Sequence, residues 1–209
     1  MKEEKIQVEK IIGNVRGSDA QCDTKAVLKC VVTEEADRPQ LKEMYYLWLK
    51  LSKITSEFRG RAINVPEVLS ESAFCLEMKK NNLGNPVRVI KVLEVENSKC
   101  RVSSSFDTFD LKNSARQQIK ATCIENDLTS FGPRSQEDEL YFLDFYRDGK
   151  FDGRFDVYKI DHNILRNIIL NNRRGETFED QQAQGRRPRL SVKQLIADNH
   201  IKTLFTGEI

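Results

Sequence analysis

The stretch VSSSFDTFDLKNSARQQIKAT, residues 102–122, is built like a β-hairpin. Two extended segments flank a polar segment, 111–114, that is typical of a turn. Strand side chains alternate between the two faces of a sheet, so Gln118 and Lys120 are predicted to share one face. If the two segments pair through the turn, Asp107 lies on that face as well.

An acid, an amide and a lysine on adjacent strands suit the hydrolysis of a phosphodiester bond. Oxygen ligands from Asp107 and Gln118 can hold a hard cation such as Mg²⁺, which activates water and neutralises the phosphate. Lys120 can stabilise the charge that develops during the reaction. The alternative interpretation is that Gln118 and Lys120 lie on a solvated face of the strand.

The remaining sequence predicts a fold of the α/β (α+β) class, with a central mixed, largely antiparallel sheet flanked by helices. The pattern predicts a helix over 39–58, a second helix over 65–82 and an N-terminal pair of strands. Further strands are predicted over 86–98, 99–111 and 115–125, a hairpin over 138–160, and short helices over 161–173 and 191–200. The first helix places its apolar residues at helical spacing and is predicted to bury them: Leu41, Met44, Tyr45, Trp48, Leu51 and Ile54.

The chain has 209 residues and a formal charge of +2. We predict a single domain over 1–209, with a strand-rich segment over 1–38 and the main body over 39–209. No apolar run is long enough to span a membrane and no secretion signal is present, so a cytoplasmic protein is expected. The five cysteines are scattered and suggest neither disulfides nor a zinc site, and two histidines leave little scope for imidazole chemistry.

Several long segments resemble the PD-(D/E)XK nucleases, and more closely the type II restriction endonucleases that cut GCNGC sites. The segments that carry this resemblance are Arg61–Cys75, Ser104–Asp110, Gln117–Thr122, Asp127–Tyr146, Gly149–Ile160 and Thr177–Ile196. The first forty residues contribute little to it.

The resemblance implies a role for each residue of the hairpin. Asp107 would be the metal-binding aspartate, Lys120 the catalytic lysine, and Gln118 would stand where the family usually has a second acid. The carbonyl of Ile119 would complete the metal shell. Because glutamine brings no charge, the site is expected to bind a single Mg²⁺ or to use a carboxylate from elsewhere.

Two glutamates of the second predicted helix, Glu67 and Glu71, are the candidates to supply that carboxylate. They are four residues apart and therefore lie on one helix face. The alternative is that both face solvent.

DNA binding is assigned to two segments. QGRRPR contains Arg186, Arg187 and Arg189, and arginine can pair with guanine through two hydrogen bonds, as a G·C-rich target requires. TSFGPRS contributes Ser130 and Arg134 beside a Gly-Pro turn. The alternatives are a solvated basic tail and an ordinary surface loop.

Taken together, the resemblance implies a Mg²⁺-dependent endonuclease that cuts double-stranded DNA as a homodimer. It also implies a cognate DNA methyltransferase in the host as a functional partner. Two other functions are compatible with the sequence: a non-catalytic DNA-binding protein, because position 118 is Gln, and an endonuclease that depends on cytosine methylation.

Overall fold

The computed structural model describes residues 1–18, 20–103, 105–133, 137–198 and 200–209. Its strands are β1 (Lys2–Val15), β2 (Gln21–Val32), β3 (Pro86–Val95), β4 (Cys100–Arg101), β5 (Thr108–Asp110), β6 (Ala115–Thr122), β7 (Thr129–Ser130), β8 (Glu139–Asp144), β9 (Arg154–Ile160), β10 (Ile169–Asn171), β11 (Glu176–Thr177), β12 (Arg189–Leu190) and β13 (Thr203–Glu208). Its α-helices are α1 (Arg38–Glu57), α2 (Glu67–Lys80), α3 (His162–Arg166), α4 (Phe178–Ala183) and α5 (Val192–Ala197).

Nine of the described strands form one mixed sheet in the order β13-β9-β8-β6-β5-β3-β2-β1-β4. Every neighbouring pair is antiparallel except β6 and β8, which run parallel. The two long helices pack on one face of this sheet and the three short helices on the other. The predicted α+β class, with a largely antiparallel sheet flanked by helices, is confirmed.

The central strands are buried on both faces, and successive residues of β8 point into different cores. Tyr141 and Leu143 pack against α1 and α2, whereas Leu140 and Phe142 pack against α3, α4 and α5. A third apolar cluster lies under β1, β2, β3 and β5. None of the described helices is both long and apolar enough to cross a membrane.

The hairpin predicted from the opening stretch is confirmed. Strands β5 and β6 pair with Thr108 opposite Gln117 and Asp110 opposite Ala115, so the chain turns over 111–114 as expected. Ser114, the last residue of the turn, has a left-handed backbone conformation with φ 53°.

Asp110 fixes this turn from inside the protein. Its side chain is fully buried and accepts hydrogen bonds from the backbone N–H of Asn85 at 2.8 Å, from that of Lys112 at 2.9 Å and from the side-chain amide of Asn113 at 2.6 Å. Gly84 is required beside it, because a Cβ there would lie 2.4 Å from a carboxylate oxygen of Asp110.

We expect Asp110→Ala to lower the free energy of unfolding by about 3 kcal/mol, since it removes the buried charged acceptor that three hydrogen-bond donors of the turn share. Urea denaturation followed by circular dichroism measures the change. Asp23→Ala is the matched control, because the Asp23 side chain is 59% exposed and its loss should change stability by no more than about 0.5 kcal/mol. Equal effects of the two substitutions would contradict the role of Asp110.

The helix predicted over 161–173 is wrong in its second half, because it ends at Arg166 and strand β10 follows. Two further predictions about the fold are wrong. Leu41, Tyr45 and Trp48 of α1 are buried as expected, but Leu51 is 53% exposed and Ile54 is 43% exposed. These two residues lie on a second apolar face of the helix. The sequence pattern was interpreted as a single buried face that included them.

The cysteines are the second correction. Cys22 and Cys100 form a disulfide, although they are 78 residues apart in the sequence. They meet because β1 pairs with β2 on one side and with β4 on the other, which brings both cysteines beside the same strand. Cys30, Cys75 and Cys123 are free and buried.

Candidate functional site

Asp107 lies at a bend immediately before β5 and is held by the strands on both sides. Its backbone N–H donates to the carbonyl of Gln117 at 2.9 Å, and its own carbonyl accepts from the N–H of Val89 at 2.9 Å. The position of Asp107 is therefore fixed by β3 and β6, two of the central strands of the sheet.

Two of the predicted metal-site residues, Gln118 and Ile119, orient the carboxylate of Asp107. Its Oδ2 atom accepts a hydrogen bond from the backbone N–H of Ile119 at 2.7 Å and another from Nε2 of Gln118. Among the described residues, no donor binds the second oxygen, Oδ1. Because the amide nitrogen of Gln118 is engaged with Asp107, its carbonyl oxygen is the atom able to ligate a cation.

Charges around Asp107 show which other side chains are close. Burial raises the pKa of Asp107 to about 6, and the negative charge of Glu67 adds to this rise. The hydrogen bond from Ile119 and the positive charge of Lys120 lower the pKa and so oppose it. Lys120 and Glu67 therefore lie within electrostatic range of Asp107. Glu67 is exposed at the first turn of α2.

Glu71 is mostly buried, one helical turn further along α2. Burial raises its pKa to about 7; the hydrogen bond and charge of Arg88 oppose the rise, and the negative charges of Asp107 and Glu67 add to it. Arg88 Nε lies 2.8 Å from Glu71 Oε2, and the two side chains are 16% and 13% exposed. The interpretation of Glu71 as a solvent-facing residue is therefore wrong.

Sequence reasoning missed Arg88. Its strand, PVRVIKVLEV, begins with apolar residues that Arg88 interrupts. This charge in an apolar segment was the signal in the sequence that could have identified it. Its partner could be known only from the pairing of β3 with β5, which places Arg88 opposite Thr108 and beside Asp107.

A network of hydrogen-bonded polar side chains links the strands that carry the site to their neighbours in the sheet. Gln117 accepts from the hydroxyl of Thr108 at 2.9 Å and donates to Glu139 at 2.8 Å. Glu139 also accepts from Tyr141 at 3.0 Å and from Lys159 at 2.6 Å. This network joins β5, β6, β8 and β9 and so fixes the register that brings Gln118 opposite Asp107.

The two segments assigned to DNA binding lie side by side. Strands β7 and β12 pair, and Ser130 lies opposite Arg189. Arg186, Arg187 and Arg189 are all exposed, and Arg186 forms an ion pair with Glu176 at 2.9 Å. Arg134, the remaining candidate, lies outside the described residues.

Comparison with known proteins identifies the family. The sequence profile of the Bsp6I restriction endonucleases matches residues 33–199, which is more than half of the chain. The chain is 32% identical over 171 residues to the type II restriction enzyme Bsp6I of Bacillus sp. (strain RFL6), a match that covers 79% of this chain and 84% of that enzyme. No solved structure matches the chain.

These similarities define the protein as a type II, site-specific restriction endonuclease. The chain belongs to the Bsp6I restriction endonuclease family. Such an enzyme binds double-stranded DNA, and the matched region contains every candidate site residue described above.

Proposed function

We propose that the chain is a Mg²⁺-dependent endonuclease of the PD-(D/E)XK type that cuts double-stranded DNA at GCNGC. The observation that carries this proposal is the arrangement around Asp107, whose carboxylate is held by Ile119 and Gln118 and acted on by the charges of Lys120 and Glu67. An aspartate, followed on the next strand by residue-x-lysine, is the pattern of that class. In this chain the residue before x is Gln118.

The acidic side chains fit a divalent cation. Burial, together with nearby carboxylates, raises the pKa of Asp107 to about 6 and that of Glu71 to about 7, so a bound cation would stabilise their charged forms. The described residues contain no group of three or more His, Cys, Asp or Glu side chains arranged to hold a metal. We therefore assign the ligand set to Asp107, Glu67, the Gln118 side-chain oxygen and the Ile119 carbonyl.

Each residue then has a distinct task. Mg²⁺ bound there would neutralise the scissile phosphate and lower the pKa of water. Asp107, whose Oδ2 is held by Ile119 and Gln118, would bind the cation through Oδ1, and Lys120 would stabilise the negative charge that builds on the phosphate. Arg88 binds Glu71, which leaves Glu67 as the helix carboxylate available to the cation.

We assign DNA binding to the paired strands β7 and β12 and to the turn before β12. Arg187 and Arg189 are exposed and carry the positive charge that contacts to phosphates or guanines require. Ser130, opposite Arg189, can donate to a phosphate oxygen. Arg186 is assigned the same task, which requires its ion pair with Glu176 to open.

A two-fold symmetric target is read by a two-fold symmetric protein, so we propose a homodimer in which each active site cuts one strand. One nuclease domain would span residues 1–209, with β1 and β2 as part of its sheet. The enzyme would act in the cytoplasm, and the host would need a cognate DNA methyltransferase to protect its own sites.

Digestion of a plasmid of known sequence tests the proposal directly. With Mg²⁺ we expect discrete fragments whose ends map to GCNGC, and no fragments when Mg²⁺ is chelated. A mobility shift without cutting, with the metal present, would show a DNA-binding protein instead. Parallel digestion of cytosine-methylated and unmethylated plasmids shows whether methylation blocks or is required for cleavage.

The raised pKa values predict how cleavage depends on pH. Protons compete with the cation for Asp107, whose pKa is about 6, and the neighbouring Glu71, whose pKa is about 7, also ionises in this range. At limiting Mg²⁺ the single-turnover rate should therefore rise between about pH 6 and pH 8. At saturating Mg²⁺ the same rise should move to lower pH, since the cation displaces the proton. A profile with the same midpoint at both concentrations would contradict competition at these carboxylates.

A further inference from the structure

Helix α1 carries a row of large apolar side chains that face solvent. Leu47 is 61% exposed, Leu51 53%, Ile54 43% and Phe58, directly after the helix, 83%. Their spacings of four, three and four residues place them on a single face of the helix. We call these four residues the outer stripe.

The outer stripe is not part of the helix's contact with its own core. Leu41, Tyr45 and Trp48 serve that contact and are at most 4% exposed. The two stripes point in directions about 100° apart around the helix axis. Helix α1 thus has one apolar face that stabilises the fold and another that leaves a contiguous apolar patch in water, as is typical of an interaction site.

We propose that a second copy of this chain covers the outer stripe, through an antiparallel helix pair related by a two-fold axis. The inference rests on the homodimer of the proposed function and specifies the surface that forms it. A two-fold interface is made of the same surface twice, so every contact must occur reciprocally.

The outer stripe meets that requirement. Spacings of three and four residues allow two helices to interlock side chains along such a seam. In an antiparallel arrangement, Leu51 packs on Ile54 of the partner subunit and Leu47 on Phe58 of the partner subunit. Each contact then occurs twice, with the axis passing between positions 52 and 53.

The charges beside the stripe agree with the same register. Glu43, Lys50 and Glu57 follow one another at seven-residue intervals along one flank. The register that pairs Leu51 with Ile54 places Lys50 beside Glu57 of the partner subunit, again twice. The mixed charge of this flank does not suit the uniformly negative surface of DNA.

The available area is close to that of a stable dimer. Side chains of this size at these exposures, together with the exposed Tyr46, present on the order of 600 Å² of apolar surface, against the about 800 Å² per partner in a standard interface.

The location of the stripe relates the dimer to the active site. The chain runs from Phe58 at the end of the stripe to Glu67 at the candidate metal site in nine residues. The proposed contact and the candidate metal site are therefore neighbours along the chain in each subunit.

Sedimentation equilibrium of the full chain, without DNA or metal, tests the interface. We expect the wild type to be a dimer at low micromolar concentration and Leu51→Glu to raise the dissociation constant at least about 100-fold. Ile169→Glu is the matched control, because Ile169 is 55% exposed on β10, and it should leave the dimer unchanged. Circular dichroism and the melting temperature confirm that both variants fold.

Charge exchange tests the antiparallel register. Lys50→Glu should weaken the dimer about 10-fold, and adding Glu57→Lys should restore it to within about threefold of the wild type. A dimer that survives Leu51→Glu overturns the interface while leaving the homodimer itself intact. A wild type that stays monomeric overturns both, and failure of the double variant to recover overturns the antiparallel pairing. None of these outcomes depends on whether the chain cuts DNA.

Discussion

Replacing Lys120 with alanine is expected to reduce DNA cleavage by about 10²–10³-fold while leaving DNA binding within about fivefold of the wild type. The structure gives the reason. Lys120 is one residue past Ile119, whose N–H holds Asp107, and its charge acts on the Asp107 carboxylate. The ammonium group can therefore neutralise charge that appears on the phosphate as the bond breaks, and that charge is absent while DNA is only bound.

Single-turnover cleavage and the anisotropy of a short labelled duplex separate the two effects. The matched control is Lys91→Ala, which removes the same charge from an exposed position on β3 and should leave both quantities nearly unchanged. If Lys120→Ala weakens specific binding by the same factor as cleavage, Lys120 serves DNA recognition and the catalytic assignment is wrong.

The hairpin that carries the site was predictable because its determinants are local. The turn over 111–114, the alternation along β6 and the glycine and asparagine that end α2 all lie within a few residues of the elements they define. The two long helices were predicted for the same reason, and their observed bounds differ from the expected ones by only one or two residues.

What the sequence could not show depends on contacts between distant segments. The parallel pairing of β6 with β8, the ion pair of Arg88 with Glu71 and the Cys22–Cys100 disulfide all need the order of strands in the sheet. The short helix α4 and the strands β7 and β12 were also missed, because two to six residues give too little periodicity to recognise.

The structure changes the interpretation of Gln118. From the sequence it is an acid replaced by an amide, which suggests a weakened metal site. In the structure its amide nitrogen donates a hydrogen bond to the Asp107 carboxylate. A glutamate there could make this contact only with a proton between the two carboxylates, so glutamine both orients Asp107 and avoids a second buried negative charge.

The buried charge of Asp107 leads to the second prediction, that Asp107→Asn abolishes cleavage and at the same time stabilises the metal-free protein. Asparagine is nearly isosteric and its oxygen can still accept from Ile119 and Gln118, but it offers a cation no charge. We expect cleavage to fall by at least about 10³-fold. The free energy of unfolding should rise by about 3 kcal/mol at pH 8, since the wild type holds a carboxylate whose pKa is raised from 3.8 to about 6.

The sign of the stability change follows from the direction of that shift. Because the folded pKa of Asp107 lies above the unfolded value, the folded protein binds more protons between about pH 4 and pH 6, and its stability falls as pH rises through this window. The wild type should therefore approach the stability of Asp107→Asn as the pH is lowered to about 4, while the two differ most at pH 7 and above.

Urea denaturation at several pH values, in the presence of a chelator, measures the difference, with Asp23→Asn as the control at an exposed position. Added Mg²⁺ should reverse the order by stabilising only the wild type, because a ligand that binds the folded state alone raises its stability. If Asp107→Asn is only as stable as the wild type at pH 8, Asp107 is not a destabilising buried charge. If Mg²⁺ stabilises both proteins equally, Asp107 is not a ligand of the cation.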